Sequence, residues 1–371
     1  MKLFFDARFT RTTHHDGISR YGAELLRALL ARTAAHGPDP DVEVTAIVHD
    51  PAQLDMLPAV DHVYANDPVS VREPFVARTL NRHCPDVVFS TMQVMGSAGR
   101  DYGLILTLHD LIYYAHPRPP ADLPALVRGA WRLYHRAYWP QRLLLDRADA
   151  VVAVSETTRD LIRTHRLTRR DVYVVTNAAR PVDPLPRRPS GHDARSLVYM
   201  GAFLPYKNVE AVIRALEHLP GYTLHLASRI APERERDLRA LVPDHARVVF
   251  HHGVSDTKYH RLLDSATALV TASLDEGFGL PVVEALARGL PVAVSDLPIF
   301  RELAEGTAEF FDPHDPRDVA RAVRTLEDPT TWVERAGRAP DTAGRFSWDA
   351  SAAALVDVAR EIHAKRSAGH P

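Results

Sequence analysis

Two glutamates eight residues apart, Glu276 and Glu284, bracket a glycine loop in the run Ser273-Leu274-Asp275-Glu276-Gly277-Phe278-Gly279-Leu280-Pro281-Val282-Val283-Glu284. The loop follows an apolar stretch, 268–271, and opens a helical period with Pro281 in its first turn, where proline's missing N–H costs nothing. Gly277 and Gly279 let the backbone approach a ligand closely. The helix amides beyond them point at that ligand, an arrangement suited to a phosphate group. Two carboxylates beside a phosphate repel it unless they accept hydrogen bonds from hydroxyls, and sugar hydroxyls are the obvious donors. Taken alone, the same residues also describe an ordinary glycine turn, with Glu276 a surface acid and Glu284 favouring a helix N-terminus.

Lysine is rare in this chain: only Lys2, Lys207, Lys258 and Lys365 stand among 45 Lys and Arg residues. Lys207, in Leu204-Pro205-Tyr206-Lys207-Asn208, is therefore a marked choice of a compact point charge over a planar fork. An ammonium there would stabilise the charge that develops on a departing diphosphate; the alternative is a solvated lysine at a strand–helix turn. His109 follows the apolar strand 104–108 and precedes Asp110, at a carboxyl strand end, either in a site or as a buried structural histidine. No metal site is expected. Asp312-Pro313-His314-Asp315 reads as a loop, and the adjacent His251 and His252 would point to opposite faces of a strand.

The positioning elements are short apolar runs alternating with amphipathic periods along the whole chain. Residues 3–5, 42–48, 87–89, 104–108, 151–154 and 172–175 read as buried strands in the first half. Residues 197–200, 224–227, 248–250, 268–271, 291–294 and 309–311 do so in the second. Helical periods over 18–31, 209–219 and 316–326 lie between such runs, which predicts α/β architecture with parallel sheets built from βαβ units. Four prolines within Arg180–Pro189 mark a linker between two doubly wound domains, with a ligand cleft expected between their carboxyl strand ends. The boundaries expected are 1–180 and 190–349, with a C-terminal helix of about 350–371 packing back on the first domain.

At 371 residues, 46% hydrophobic and 25% charged, the chain has the proportions of a two-domain globular protein, which excludes collagen, disorder and a disulfide scaffold. A net charge of −2 provides no field for nucleic acid. A single cysteine, Cys84, and a start that reaches Asp6 too soon for a signal peptide lead to an expected cytoplasmic location. The segment Arg118–Arg147 interleaves six arginines with Trp131, Tyr134, Tyr138 and Trp139. That composition suits either peripheral contact with the inner membrane face or an ordinary helix with buried aromatics.

The sequence resembles the retaining GT-B glycosyltransferases of family 4, group 1, which includes sucrose and sucrose-phosphate synthases and phosphatidylinositol mannosyltransferases. Glu276–Glu284 with Glu-Gly-Phe-Gly-Leu-Pro carries the resemblance. Gly289–Ser295 with Glu302, Met200–Asn208, Leu108–Ile112, Asp6–Arg8 with Gly17–Tyr21, Val154–Glu156 and Val175–Asn177 support it in order and spacing. The resemblance implies two Rossmann-like domains facing a cleft, and transfer of a hexose, mannose favoured, from a nucleotide diphosphate sugar to a glycan or lipid-linked hydroxyl. It implies GDP-mannose as the favoured donor, with UDP- or dTDP-sugars, an epimerase or a non-catalytic binding protein as alternatives, and no cofactor or metal. Carried over, Glu276 with Gly277, Phe278 and Gly279 would hold the donor sugar. Leu280, Pro281 and Lys207 would lie at the diphosphate, with Gly17 near it. Glu284 would bind the ribose, and Val254 would lie near the base. His109 would contact the donor sugar; Tyr21 and Asp110 would face the acceptor side. Ala202 departs from the family, which commonly has arginine there, and Arg180 and Arg229 are the candidates to replace it.

Overall fold

A computed structural model describes residues 1–117, 125–180, 182 and 194–368. Most of the proline-rich linker and residues 118–124 of the basic, aromatic segment lie outside the described residues. The chain divides into two compact units, Met1–Asn177 with Phe346–Pro371, and Ala178–Arg345.

The first unit is built on a seven-stranded parallel sheet: β1 (Lys2–Asp6), β2 (Glu43–Val48), β3 (His62–Tyr64), β4 (Val87–Ser90), β5 (Gly103–Leu108), β6 (Ala150–Ala153) and β7 (Asp171–Val174), in the order β3-β2-β1-β4-β5-β6-β7. The central strands β4, β5 and β6 are buried at every position, which is why they read as unbroken apolar runs. The edge strand β3 has only three residues, none of them buried, and has no such signature. Helix Gly17–Thr33 follows β1, with Asp16 as its N-cap. The last helix, Trp348–Ala368, packs against it and crosses β5 so closely that a Cβ on Gly103 would stand 2.6 Å from Ile362 Cγ2. Arg360 to Asp39 (2.8 Å) and Asp41 (2.6 Å), and Ser351 Oγ to Thr176 O (2.8 Å), hold that helix in place.

The second unit carries six parallel strands: β8 (Ser196–Tyr199), β9 (Thr223–Leu226), β10 (Arg247–Phe250), β11 (Ala268–Thr271), β12 (Val292–Ser295) and β13 (Ala308–Phe311), ordered β10-β9-β8-β11-β12-β13. In both sheets the order reverses once, between β1 and β4 and between β8 and β11. Doubly wound sheets bind ligands in the crevice beyond the carboxyl ends of such a pair. In the second unit, the loops leaving that pair are those containing Lys207 and Glu276.

Candidate functional site

Lys207 ends a short turn, Pro205–Lys207, beyond β8, and Glu276 lies in the loop beyond β11. The two loops are fastened by Leu274 N donating to Tyr206 O at 2.7 Å. The side chains meet directly, with Lys207 Nζ 2.5 Å from Glu276 Oε1, both largely buried. Ser273 Oγ donates to the same carboxylate oxygen at 3.0 Å and lies 3.1 Å from Thr271 Oγ1. The ammonium also sits 5.3 Å from the Tyr206 ring centroid, where the π-face favours a cation. Sequence reasoning assigned these residues separate ligand contacts; their pairing with each other required the tertiary structure.

The helix after the glycine loop runs Leu280–Ala287, with Pro281 in its first turn. Gly279 forms its N-cap at φ 101°, a left-handed conformation, and a Cβ there would stand 2.9 Å from Phe300 Cε1. Backbone conformation and packing therefore both require glycine at this position. Gly277 and Phe278 are buried; Leu280, Pro281 and Glu284 are half-buried, with Glu284 in the second turn of the same helix. Val254 is half-buried and follows Gly253, whose φ of 96° is also left-handed.

Of the two arginines considered as substitutes at Ala202, one is paired and the other, Arg229, is exposed. Arg180 pairs with Asp256 at 2.9 Å, and the stem of Arg229 lies against Gly253. The arginine that reaches the Ala202 loop is Arg234, which donates to Phe203 O at 3.1 Å and pairs with Glu210 at 2.5 Å. It sits in the strongly charged helix Pro232–Arg239, where nothing in the sequence distinguishes it from its neighbours.

In the first unit, His109 follows β5. Its Nε2 lies 2.8 Å from Thr91 O, and since a carbonyl only accepts, Nε2 carries the proton. Nδ1 is then the acceptor of the neutral ring. Tyr21 stacks edge-on against the imidazole, 5.1 Å between centroids at 85°, with Trp348 6.1 Å behind it. Tyr21 is fully buried and forms the wall behind His109. An aromatic residue on a helix face reads the same from sequence whether it lines a site or supports one. Asp110 accepts from Ile112 N at 3.0 Å, and Gly17 begins its helix exposed, with open space where a Cβ would be.

Beneath the loop that leads to Gly17 lies a buried ionic cluster. Arg8 forks onto Asp6 (2.8 and 3.0 Å) and onto Glu73 (2.7 and 3.0 Å), and also donates to Asn66 O at 3.0 Å. Ser90 Oγ donates to Asp6 at 3.1 Å and Gly96 N to Glu73 at 3.0 Å. In the sequence, Asp6-Ala7-Arg8 is part of a motif; its partner Glu73 is 65 residues away.

His251 and His252 follow β10, and their partners differ: His251 Nε2 meets His225 Nδ1 at 3.0 Å, and His252 Nδ1 lies 3.4 Å from Glu235. Asp312 and Asp315 accept from loop and helix amides. Among the described residues no group of three or more His, Cys, Asp or Glu is placed to hold a metal ion.

Burial pushes the pKa of His109 down, as it does for His135, His225, His251 and His260. A depressed histidine pKa means the unfolded chain binds protons that the folded chain resists. The resulting stability is complete above about pH 6.5, the unfolded value, and is lost as pH falls through it. His109→Gln, which keeps the donor to Thr91, is expected to flatten the dependence of urea-unfolding free energy between pH 7.5 and 5. Parallel slopes for wild type and variant would count against it.

Residues 15–181 match the family model described as Glycosyltransferase Family 4, and residues 186–338 the one described as Glycosyl transferases group 1. The O-antigen chain mannosyltransferase RfbU of Salmonella typhimurium is 28% identical over 211 residues, 56% of each chain. The serotype-specific mannosyltransferase WbdA of Escherichia coli is 26% identical over 225 residues, 55% of this chain and 28% of that one. The D-inositol 3-phosphate glycosyltransferase of Streptomyces griseus is 32% identical over 200 residues, 48% of this chain and 42% of that one. The matches thus span little more than half of these relatives' length, or less. Among solved structures, sucrose-phosphate synthase from Thermosynechococcus elongatus superposes with a TM-score of 0.71 at 17% identity, covering 98% of this chain and 99% of that one. Anabaena HepE in complex with UDP and glucose does so at 0.70 and 18%, covering 97% and 100%. At such identities the likeness is one of fold.

Proposed function

Because the chain belongs to the glycosyltransferases of family 4, group 1, with the GT-B fold, we propose that it transfers a hexose from a nucleotide diphosphate sugar to a hydroxyl of a glycan or lipid-linked acceptor, with retention at the anomeric carbon. The observation that carries this reading is the Lys207–Glu276 pair, anchored by Ser273 beyond the strand pair where the second sheet reverses, beside a helix N-terminus. The second unit then holds the donor and the first unit the acceptor.

In the proposed reaction the bond from the anomeric carbon to the diphosphate oxygen breaks while the acceptor oxygen bonds to the same face of the sugar. The acceptor's proton passes to the departing phosphate oxygen. Lys207 and the amides opening Leu280–Ala287 stabilise the charge left on the diphosphate, so no divalent metal is needed. Glu276 accepts hydrogen bonds from sugar hydroxyls, and Glu284 from the ribose. His109, with Nε2 committed to Thr91, offers Nδ1 to a hydroxyl of the sugar. Mannose from GDP-mannose is the favoured donor, supported by the two mannosyltransferase relatives; the UDP and glucose in HepE support a UDP-sugar as the second reading.

A thermal-shift screen with UDP, GDP, dTDP and ADP is the first test, since a ligand that binds only the folded state raises its stability. One diphosphate is expected to raise the midpoint, and Glu284→Ala to remove that shift by deleting charge-assisted hydrogen bonds to the ribose. An unchanged shift in the folded variant would refute the ribose role. Transfer is expected to survive EDTA; its loss, with recovery on adding magnesium or manganese, would show that a metal takes part.

Peripheral membrane contact is part of the proposal. Leu133, Trp139 and Leu143 are 70%, 61% and 56% exposed beside the exposed Arg132, Arg136 and Arg142, an apolar and cationic surface suited to anionic headgroups. Among the described residues no helix is long and apolar enough to cross a membrane. The protein is expected to float with vesicles containing anionic lipid, and the triple substitution Leu133→Ser, Trp139→Ser, Leu143→Ser to abolish flotation. Equal flotation of wild type and variant would rule this surface out.

A further inference from the structure

Lys207 and Glu276 neutralise each other at 2.5 Å, and the carboxylate is held in place from below. Ser273 Oγ, in a fully buried residue, donates to the Oε1 that meets the lysine, and Ser273 is itself in contact with the buried Thr271 hydroxyl. The second oxygen, Oε2, accepts no hydrogen bond from a described residue. The lysine loop is tied to the same segment by Leu274 N to Tyr206 O, so cation and anion are positioned as one unit. An anion that approaches Lys207 therefore also meets a fixed negative charge.

We propose, resting on the nucleotide-sugar reading above, that Glu276 discriminates between the intact donor and the nucleoside diphosphate left after transfer, favouring the first and expelling the second. With the sugar attached, its hydroxyls donate to Oε2 and offset the carboxylate's charge. After transfer, once the proton taken from the acceptor has passed on to water, the diphosphate carries one more negative charge and has lost those hydroxyls, while Ser273 still holds the carboxylate beside it. The attraction to Lys207 is then shared with an anion that nothing on the ligand satisfies. A charge that helps to bind the substrate thus weakens the hold on the product.

Calorimetric titration of the full chain with UDP, GDP, ADP and dTDP tests this, followed by the glucose and mannose conjugates of whichever binds. Glu276→Gln removes the charge and keeps the shape. It is expected to bind the free diphosphate about tenfold more tightly than wild type, the scale of one partly screened like charge, and the sugar conjugate less tightly. A diphosphate affinity equal to or below wild type overturns the proposal. Should Glu276→Gln lack a cooperative thermal transition, Ser273→Ala, which frees the carboxylate to turn away, is expected to tighten diphosphate binding in the same direction. No tightening there overturns the proposal equally. Failure of wild type to bind any of the four diphosphates overturns the nucleotide-sugar reading and this inference with it; binding without tightening overturns this inference alone.

Discussion

Arg8→Ala is expected to destabilise the first unit by about 3–5 kcal/mol, the usual cost of removing one partner from a buried ion pair. The arginine side chain is 0% exposed, as is that of Asp6, while that of Glu73 is 15% exposed. Two carboxylates share one guanidinium, so the cluster has no spare positive charge. With Arg8 gone, Asp6 and Glu73 would remain as unpaired acids, and the carbonyl of Asn66 would lose a donor. Arg8→Lys is expected to recover only part of the loss, because a point charge cannot fork onto two carboxylates at once. The arginine's own pKa is raised: burial works against its charge, and Asp6 and Glu73 together outweigh that burial. The guanidinium therefore stays charged at every pH of interest, and its contribution does not titrate away near neutrality. Hydrogen exchange at the amides of β1 and β4 is the direct measurement, since it reports opening of this unit separately from the other. Protection there is expected to fall by on the order of a hundredfold or more. A change of less than about fivefold would mean that water or a rearranged loop replaces the arginine at little cost.

Lys207→Ala is expected to produce the largest loss of activity. In the proposed reaction the lysine's attraction to the diphosphate would grow as charge develops on the leaving oxygen, so it would stabilise the transition state more than the bound donor. The expected result is a fall in kcat that exceeds the rise in donor KM, with a combined loss of about 2–4 kcal/mol in kcat/KM. The pairing with Glu276 adds to that loss, because the substitution leaves the carboxylate, 12% exposed, without its cation. Lys207→Arg is expected to restore only part of the activity, because the loop between Tyr206 and Asn208 is shaped around a compact ammonium. Asn208 fixes that shape with φ at 47° and a hydrogen bond from Nδ2 to Pro313 O at 2.8 Å. Ala202→Arg in the alanine variant is expected to return some activity by supplying the cation commonly found there in the family. A folded Lys207→Ala protein with kcat within about twofold of wild type would show that another cation stabilises the diphosphate. Arg234, which already touches the Ala202 loop, is then the first to replace.

Read from the sequence by itself, this protein is a chain of alternating buried strands and helices, split near its middle, with a glycine loop that opens a helix and two glutamates, one before the loop and one a turn into the helix. Those features were accessible because each is local. A central parallel strand needs apolar residues on both faces, a helix start accepts proline, and a left-handed N-cap such as Gly279 requires glycine. Membership of a glycosyltransferase family was visible for the same reason, since its motif lies within nine consecutive residues. The three-residue edge strand β3 was not visible, having no buried position to leave an apolar mark. What the tertiary structure alone decided is which charged groups meet. Glu276 met Lys207, 69 residues away, and Arg8 met Glu73, 65 residues away. Arg234 reached the Ala202 loop, and Tyr21 turned inward behind His109. Ionic and aromatic pairing depends on separation in space, and the winding order of each sheet sets that separation. An arginine in a charged helix or an aromatic on a helix face has the same local sequence whichever way it turns.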